Sequence, residues 1–136
     1  MNKLPELIKK WMRFNAIGTM GVCVQVAFLF VLKTFLHLNY LLATLFAVQF
    51  ALIHNFFWHL RWTWKETATG TKWESFRRFV KYNSSTGTLS ILGNLGFTSL
   101  FVQMVHLPYL ICNLMAIGAC NIANFVLARN FVFKPE

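Results

Sequence analysis

The side chains able to do chemistry in this sequence are cations, aromatic rings and amides, which recur in one pattern. Residues 55–65 read Asn-Phe-Phe-Trp-His-Leu-Arg-Trp-Thr-Trp-Lys, and residues 124–134 read Asn-Phe-Val-Leu-Ala-Arg-Asn-Phe-Val-Phe-Lys. Each copy of this exit motif begins with an amide inside an apolar segment and ends in an aromatic-x-aromatic-Lys tail. Arginine suits bidentate phosphate binding, and tryptophan can stack on a sugar or lie at headgroup depth. The motif could therefore hold a phosphorylated ligand at a membrane boundary.

The candidate binding residues are cations, amides and tryptophans in and around the two exit motifs. The candidates for substrate or phosphate binding are Arg13, Asn55, Arg61, Lys65, Arg78, Asn124, Arg129 and Lys134. The candidates for a sugar pathway or a helix interface are Gln25, Asn94, Asn113, Asn121, Trp62 and Trp64. The alternative is that the cations only set membrane topology and the amides only hold helices together. This alternative is weaker for the amide and the arginine of the exit motif, because the motif occurs twice.

Other kinds of chemistry lack the residues that they require. The chain has no aspartate, and its four glutamates lie outside the apolar segments. Paired carboxylates for acid–base catalysis are therefore unsupported, and so is a membrane carboxylate that carries a proton. The three cysteines are scattered within apolar segments, which favours neither a disulfide framework nor a zinc site. We expect no enzyme activity, no catalytic residues, no metal site and no cofactor.

The composition is that of an integral membrane protein. Hydrophobic residues make up 57% of the 136 residues and charged residues 12%, about half the charged share of a soluble domain. Four apolar segments approach the ~20 residues that cross a bilayer as a helix. These predicted spans are Phe14–Leu32, Tyr40–Trp58, Thr86–Val105 and Tyr109–Leu127. We predict an all-α integral membrane fold with four transmembrane helices.

The charges predict the orientation of the spans. Twelve of the thirteen lysines and arginines flank the N-terminus, the central loop or the C-terminus, and Lys33 alone lies on the other side. The positive-inside rule then places both termini and the central loop in the cytoplasm. Apolar stripes beside cations in residues 1–13 and 73–81 predict amphipathic interfacial helices before spans one and three. The net charge of +9 is thereby explained by topology, and we expect no nucleic-acid partner.

A shift of 69 positions aligns the two halves of the chain. It pairs Gly18 with Gly87, and it superimposes the two exit motifs. We predict a single membrane domain, residues 1–136, built from repeats at about 4–65 and 73–134. Each repeat contains two spans, so the two hairpins insert the same way up as a parallel repeat, N-in and C-in. In folds of this kind the functional site tends to lie at the repeat interface.

The residues in these motifs resemble the GtrA-like family. The resemblance rests on Arg-Phe before spans one and three, and on Asn-Phe-x-x-x-Arg-x-aromatic-x-aromatic after spans two and four. It covers residues 13–134 and is closest at residues 78–83 and 124–133. The chain departs from the family pattern where Leu60 precedes Arg61 and where Asn130 follows Arg129, since the family often has two consecutive arginines there. Gln25 also stands where family members often carry an aspartate.

The resemblance implies a function in surface-polysaccharide pathways such as O-antigen glycosylation. It implies translocation of a polyprenyl-phosphate-linked sugar, typically undecaprenyl phosphate glucose, from the cytoplasmic to the periplasmic leaflet of the inner (plasma) membrane. The implied partners are this sugar lipid and the membrane glycosyltransferases of the same pathway. Because four spans are few to enclose a path, we also expect a homo-oligomer. Two alternatives remain: a non-catalytic accessory subunit that anchors or stabilises such a glycosyltransferase, and, with less support, a small drug or metabolite exporter.

Overall fold

The computed structural model describes residues 3–134, except for the side chains at positions 40, 41, 44, 94, 95, 98, 109, 110, 113 and 114. The described part of the chain is helical and contains no strand. It divides into two compact units, Met1–Glu66 and Thr67–Glu136. Each unit is a helical hairpin, which confirms the predicted all-α class. That both hairpins form a single membrane domain stays a prediction.

The first hairpin consists of two long helices and a short exit segment. Helix α1 runs over Lys3–Thr34, helix α2 over Tyr40–Trp58, and a π-helical turn, the first exit segment, over His59–Thr63. The amphipathic segment predicted at residues 1–13 is not a separate helix, because its described part forms the first turns of α1. The physical reason is local: Pro5 lies in the first turn, where proline is tolerated, and α1 contains no other proline.

The first arm of the second hairpin is a helical path made of several segments. Its elements are α3 at Lys72–Tyr82, π-helical turns at Asn83–Gly87 and Leu89–Gly93, and α4 at Asn94–Val105. This arm holds four more residues between its Arg-Phe pair and Gly87 than α1 holds before Gly18. The two π-helical turns lie in and beyond this stretch, and π-bulges of this kind occur often at functional sites. The predicted third span therefore begins in the middle of a longer helical path.

The second arms of the two hairpins correspond position by position. Helix α5 runs over Tyr109–Leu127 and is followed by the second exit segment, a π-helical turn at Ala128–Val132. Both elements begin and end 69 residues after α2 and the first exit segment. The left-handed residues before these helices, His37 at φ 48° and His106 at φ 52°, have the same separation. The bounds predicted for spans two and four coincide with α2 and α5, while the repeat and the four membrane crossings stay predictions.

Small residues bring the two arms of each hairpin close together. Ala43, Ala47 and Ala51 of α2 are buried at steps of four, as the predicted packing ridge requires, and residues at the corresponding positions of α5 are buried as well. On α1, a Cβ at Gly21 would overlap the amide of Asn55. Small residues of this kind let helices approach closely in a membrane.

The outer faces of the helices are apolar. Val22, Val26 and Phe30 of α1 are each at least 60% exposed. Within the described residues, Lys3–Thr34 and Met115–Val132 are helical stretches long and apolar enough to cross a bilayer. Exposed apolar surface of this extent is unusual on a soluble monomer and typical of a contact surface for lipid or protein.

Replacing Gly21 with alanine should destabilise the first hairpin, because the added Cβ would overlap the Asn55 amide. We expect the free energy of unfolding to fall by on the order of 1–3 kcal/mol. The melting temperature in detergent should fall with it. Gly18→Ala is the matched control, because a Cβ at Gly18 meets no atom within 4 Å. It should leave the melting temperature unchanged or slightly raised. Equal melting temperatures for the two variants would contradict the proposed close contact.

Candidate functional site: a basic cavity in the second hairpin

The second hairpin contains a cavity of about 550 Å³ between α3 and the second exit segment. Its lining residues are Glu74, Arg77, Arg78, Lys81, Asn130, Phe131, Val132 and Lys134. Four of these residues are cations and one is a carboxylate. A concave wall of low dielectric lined by one sign of charge concentrates ions of the opposite sign. The cavity is therefore suited to an anion.

Arg78 is the buried cation of this cavity. The side chain is 8% exposed, and its Nη1 donates a hydrogen bond of 3.1 Å to the carbonyl oxygen of Thr69. A guanidinium has five N–H donors, and among the described residues this carbonyl is its one hydrogen-bond partner. A buried charge is costly unless it is paired and hydrogen-bonded. An anion in the cavity would satisfy this requirement.

The carboxylate of Glu74 is held at the start of α3. Its Oε2 accepts a hydrogen bond of 3.0 Å from the backbone N–H of Thr71, and the Thr71 hydroxyl accepts one of 3.3 Å from the backbone N–H of Glu74. This reciprocal pair is a capping box. Gly70 precedes it at φ 138°, with its Cα against the Glu74 carboxylate, so a side chain at this position would be strained. The carboxylate thus stabilises the helix start.

Aromatic rings of the second exit segment face the cations of α3. The Nζ of Lys81 lies 5.3 Å from the centroid of the Phe131 ring, within the range of a cation–π contact. Tyr82 and Phe133 are each 1% exposed, and their ring centroids are 6.5 Å apart. This buried aromatic pair holds the exit segment against α3 and so fixes the cavity wall.

The first hairpin uses the same residue types differently. The Nη1 of Arg13 donates a hydrogen bond of 3.2 Å to the carbonyl oxygen of Trp62, and the guanidinium lies 5.6 Å from the Trp62 ring. The Nζ of Lys10 lies 5.4 Å from the ring of Trp64, which is buried. The exit segment of this hairpin therefore already engages its facing cations.

The two arginines of the exit motifs lie outside the cavity. Arg61 is exposed, with its guanidinium 4.5 Å from the ring of Phe57 in the preceding turn. Arg129 is also exposed and does not line the cavity. The 69-residue shift aligns Arg61 with Asn130, which lines the cavity. Arg129 precedes Asn130 by one residue and therefore lies on a different side of the helix. A role of these arginines, or of the exposed Lys65, in phosphate binding stays a prediction.

Of the candidate phosphate-binding residues, the structure brings Arg78 and Lys134 together in one cavity. Arg77, Lys81 and Asn130 also line the cavity but are not among the residues predicted from the sequence. A signal for the first two was present, because Arg77 and Lys81 are four residues apart on an amphipathic helix and so share a face. Asn130 gave no such signal.

Polar side chains also continue into the hairpin beyond the cavity. Thr86 is 4% exposed, and its hydroxyl has no hydrogen-bond partner among the described residues. Asn124 donates from Nδ2 to the Ser90 hydroxyl at 2.9 Å, while its Oδ1 is buried without a partner in the same part of the chain. We call Thr86, Ser90 and Asn124 the polar seam. Unsatisfied polar atoms are expensive within a bilayer, which suggests that the seam serves a ligand.

The remaining candidates for the sugar pathway are less informative. Gln25 and Asn121 are partly buried, and Trp62 is 40% exposed. The side chains of Asn94 and Asn113 lie outside the described residues. No group of three or more His, Cys, Asp or Glu that could hold a metal ion occurs in the described part of the chain.

His59 is a buried structural residue at the start of the first exit segment, outside the expected span. Its ring stacks on Phe14 with centroids 4.5 Å apart, and its Nδ1 lies 3.2 Å from the Thr63 hydroxyl. Burial, with a smaller contribution from the nearby His54, lowers the pKa of His59 to about 3. The ring is therefore neutral at physiological pH and cannot act as a cation toward phosphate.

This lowered pKa predicts a loss of stability in acid. The pKa of His59 is about 3 in the folded state and 6.5 in the unfolded state. The neutral ring therefore makes its full contribution to the free energy of unfolding above pH 6.5, and this contribution is lost as the pH falls toward 3, because only the unfolded state then binds a proton. The slope is at most about 1.4 kcal/mol per pH unit. The melting temperature of the wild type minus that of His59→Phe, measured in detergent across this range, should decrease as the pH falls. Parallel curves would contradict the buried neutral state.

Comparisons with known proteins match most of the chain, including both hairpins. A family model described as the GtrA/DPMS transmembrane domain matches residues 13–133. A dolichol-phosphate mannosyltransferase from Pyrococcus furiosus is 26% identical over 123 residues, which are 90% of this chain and 33% of that protein. The chain thus spans about a third of the length of this relative. The matched segment contains all the cavity residues except Lys134.

Proposed function

Because the chain belongs to the GtrA/DPMS transmembrane-domain family, we propose that it binds a polyprenyl-phosphate-linked sugar at the cytoplasmic membrane face and moves it to the opposite leaflet. The family match confirms the predicted GtrA-like resemblance. Together with the mannosyltransferase relative, it makes the chain a membrane protein of polyprenyl-phosphate-sugar pathways. The apolar outer faces of the helices agree with this assignment.

The basic cavity is the observation that carries the proposal. A polyprenyl-phosphate sugar has an anionic phosphate, a polar sugar and a long apolar tail. The cavity supplies cations for the phosphate, and a volume of about 550 Å³ is within the range of small-ligand sites. The lipid tail can remain in the bilayer against the apolar helix faces.

The polar seam supports movement across the membrane rather than binding alone. A sugar that leaves the cytoplasmic face needs hydrogen-bond partners in the hydrocarbon region. Thr86 and Asn124 each have a buried polar atom without a partner among the described residues, and such an atom can receive a sugar hydroxyl. The transfer breaks and forms no covalent bond, so we propose no enzymatic step.

The proposed topology has four crossings, with two parallel repeats and both termini in the cytoplasm of a cell with an inner membrane. The distribution of lysine and arginine supports it, and so do the 69-residue intervals between equivalent helix bounds. The cavity then lies at the cytoplasmic boundary, where the lipid-linked sugar is made. We further propose a homo-oligomer, because one chain has few spans to enclose a path.

Reconstitution tests the translocation directly. Purified protein is placed in liposomes that contain a labelled polyprenyl-phosphate hexose, and a membrane-impermeant reagent measures the sugar accessible in the outer leaflet over time. Protein should expose the inner pool much faster than protein-free liposomes do. Lack of acceleration by well-folded protein would argue against translocation.

Thr86→Val should separate transport from stability. The substitution removes a buried hydroxyl that has no partner among the described residues and keeps the side-chain shape, so stability should be unchanged or higher, by up to ~1–3 kcal/mol. Transport should nevertheless fall about tenfold if the hydroxyl binds the passing sugar. Thr88→Val, at an exposed position of the same helical arm, is the matched control. Full transport by Thr86→Val would remove the seam from the mechanism.

The second candidate function is an accessory subunit of a membrane glycosyltransferase. It is favoured by the mannosyltransferase relative, which matches this chain over a third of its own length. A subunit of this kind would anchor or stabilise the enzyme without moving the lipid. It predicts that a polyprenyl-phosphate glycosyltransferase co-purifies with this chain and loses activity in detergent when the chain is omitted.

A further inference from the structure

The two hairpins share a backbone plan but differ in the chemistry of equivalent positions. The hydroxyl residues Thr86 and Ser90 of the polar seam correspond, 69 residues earlier, to Ile17 and Gly21. Ile17 is fully buried. The second hairpin is thus polar where the first is apolar, although both retain the asparagine of the exit motif.

The arginine of the Arg-Phe pair also has a different hydrogen-bond partner in each hairpin. Arg13 donates to the carbonyl oxygen of Trp62 in its own exit segment. Arg78, which follows the same Arg-Phe pattern, donates instead to Thr69, in the loop before α3. The second exit segment is therefore not bound by this arginine, and the cavity lies between the two.

We propose that each chain has a single headgroup site, in the second hairpin, where Arg78 binds the phosphate of the sugar lipid and the second exit segment binds its sugar. This proposal rests on the function proposed above, and it names the half of the chain that recognises the substrate. The first hairpin then supports the fold and has no substrate site.

The phosphate end is defined by the cations of α3. Arg78 is fixed by its bond to Thr69 and has further N–H donors for phosphate oxygens. Arg77 and Lys81 lie on the same side of α3, and Lys134 lies across the cavity. A guanidinium fixed in place gives directed hydrogen bonds, and the lysines add charge that their flexible stems can bring to the phosphate.

The sugar end is defined by Phe131 and Asn130. The Phe131 ring is 50% exposed, and aromatic rings offer an apolar face to a sugar. Its present contact is the ammonium of Lys81, whose flexible stem also allows it to reach a phosphate. The exposed amide of Asn130 can both donate and accept hydrogen bonds with sugar hydroxyls.

Binding of purified polyprenyl-phosphate hexose to the full chain in detergent, measured by native mass spectrometry and by calorimetry, tests the proposal. We expect one ligand per chain. Arg78→Ala should weaken binding by about tenfold or more, since it removes hydrogen bonds to a charged group. Arg13→Ala, the matched variant of the first hairpin, should change the affinity by less than about twofold.

Further variants and ligands keep the test decisive. If Arg78→Ala does not fold, Lys134→Ala at an exposed position should still weaken binding, by about threefold. Phe131→Leu should weaken the binding of the hexose lipid and leave unchanged the binding of polyprenyl phosphate that carries no sugar. Inorganic phosphate and hexose 1-phosphate test for a water-soluble ligand, and phosphatidylglycerol tests for a general anionic lipid site. Equal or tighter binding of any of these three would overturn the proposal.

Two bound ligands per chain, or equal losses from Arg13→Ala and Arg78→Ala, would also overturn it. The liposome assay distinguishes this failure from failure of the proposed function. Binding as described, without transport, retains the headgroup site and rejects translocation. Transport that is insensitive to Arg78→Ala retains translocation and rejects this site.

Discussion

The exit segments and the cavity are positioned by the close approach of the two helices in each hairpin. In a bilayer, apolar side chains gain little by leaving lipid, so helices associate through tight packing and hydrogen bonds between them. In the first hairpin, the Asn55 amide packs directly on Gly21. In the second, Ser90 occupies the corresponding position and accepts a hydrogen bond from Asn124. The same pair of positions is therefore joined by van der Waals contact in the first hairpin and by a hydrogen bond in the second.

The basic cavity follows from what lies directly beyond this packing. Each exit segment is a π-helical turn that continues the second arm, and the aromatic side chain directly after it, Trp64 or Phe133, is buried. The exit segments are thus fixed against the first arms of their hairpins. In the second hairpin the loop before α3 provides a carbonyl for Arg78, which leaves the space beside the exit segment lined by cations and open to a ligand.

The two candidate functions place different requirements on the same hairpin. An anchoring subunit needs a stable helix pair, and buried polar atoms without partners would only lower its stability. A translocase needs such atoms, because its substrate replaces the missing partners during passage. The Thr86 hydroxyl therefore favours a path for a polar group over an anchoring role alone. The two roles are compatible in one pathway.

The helical class, the family and the bounds of α2 and α5 could all be predicted from the amino-acid sequence. These depend on local properties, namely the length of an apolar run, the turn residues around it and the repeated exit motif. Which cations converge could not be predicted in this way and depends on the folded chain. Arg61 and Arg78 both adjoin aromatic residues in the sequence, yet the first lies over its own helix and the second lines a cavity. The direction of a long side chain depends on partners distant in the chain, such as Thr69 or the exit segment, and local sequence does not contain that information.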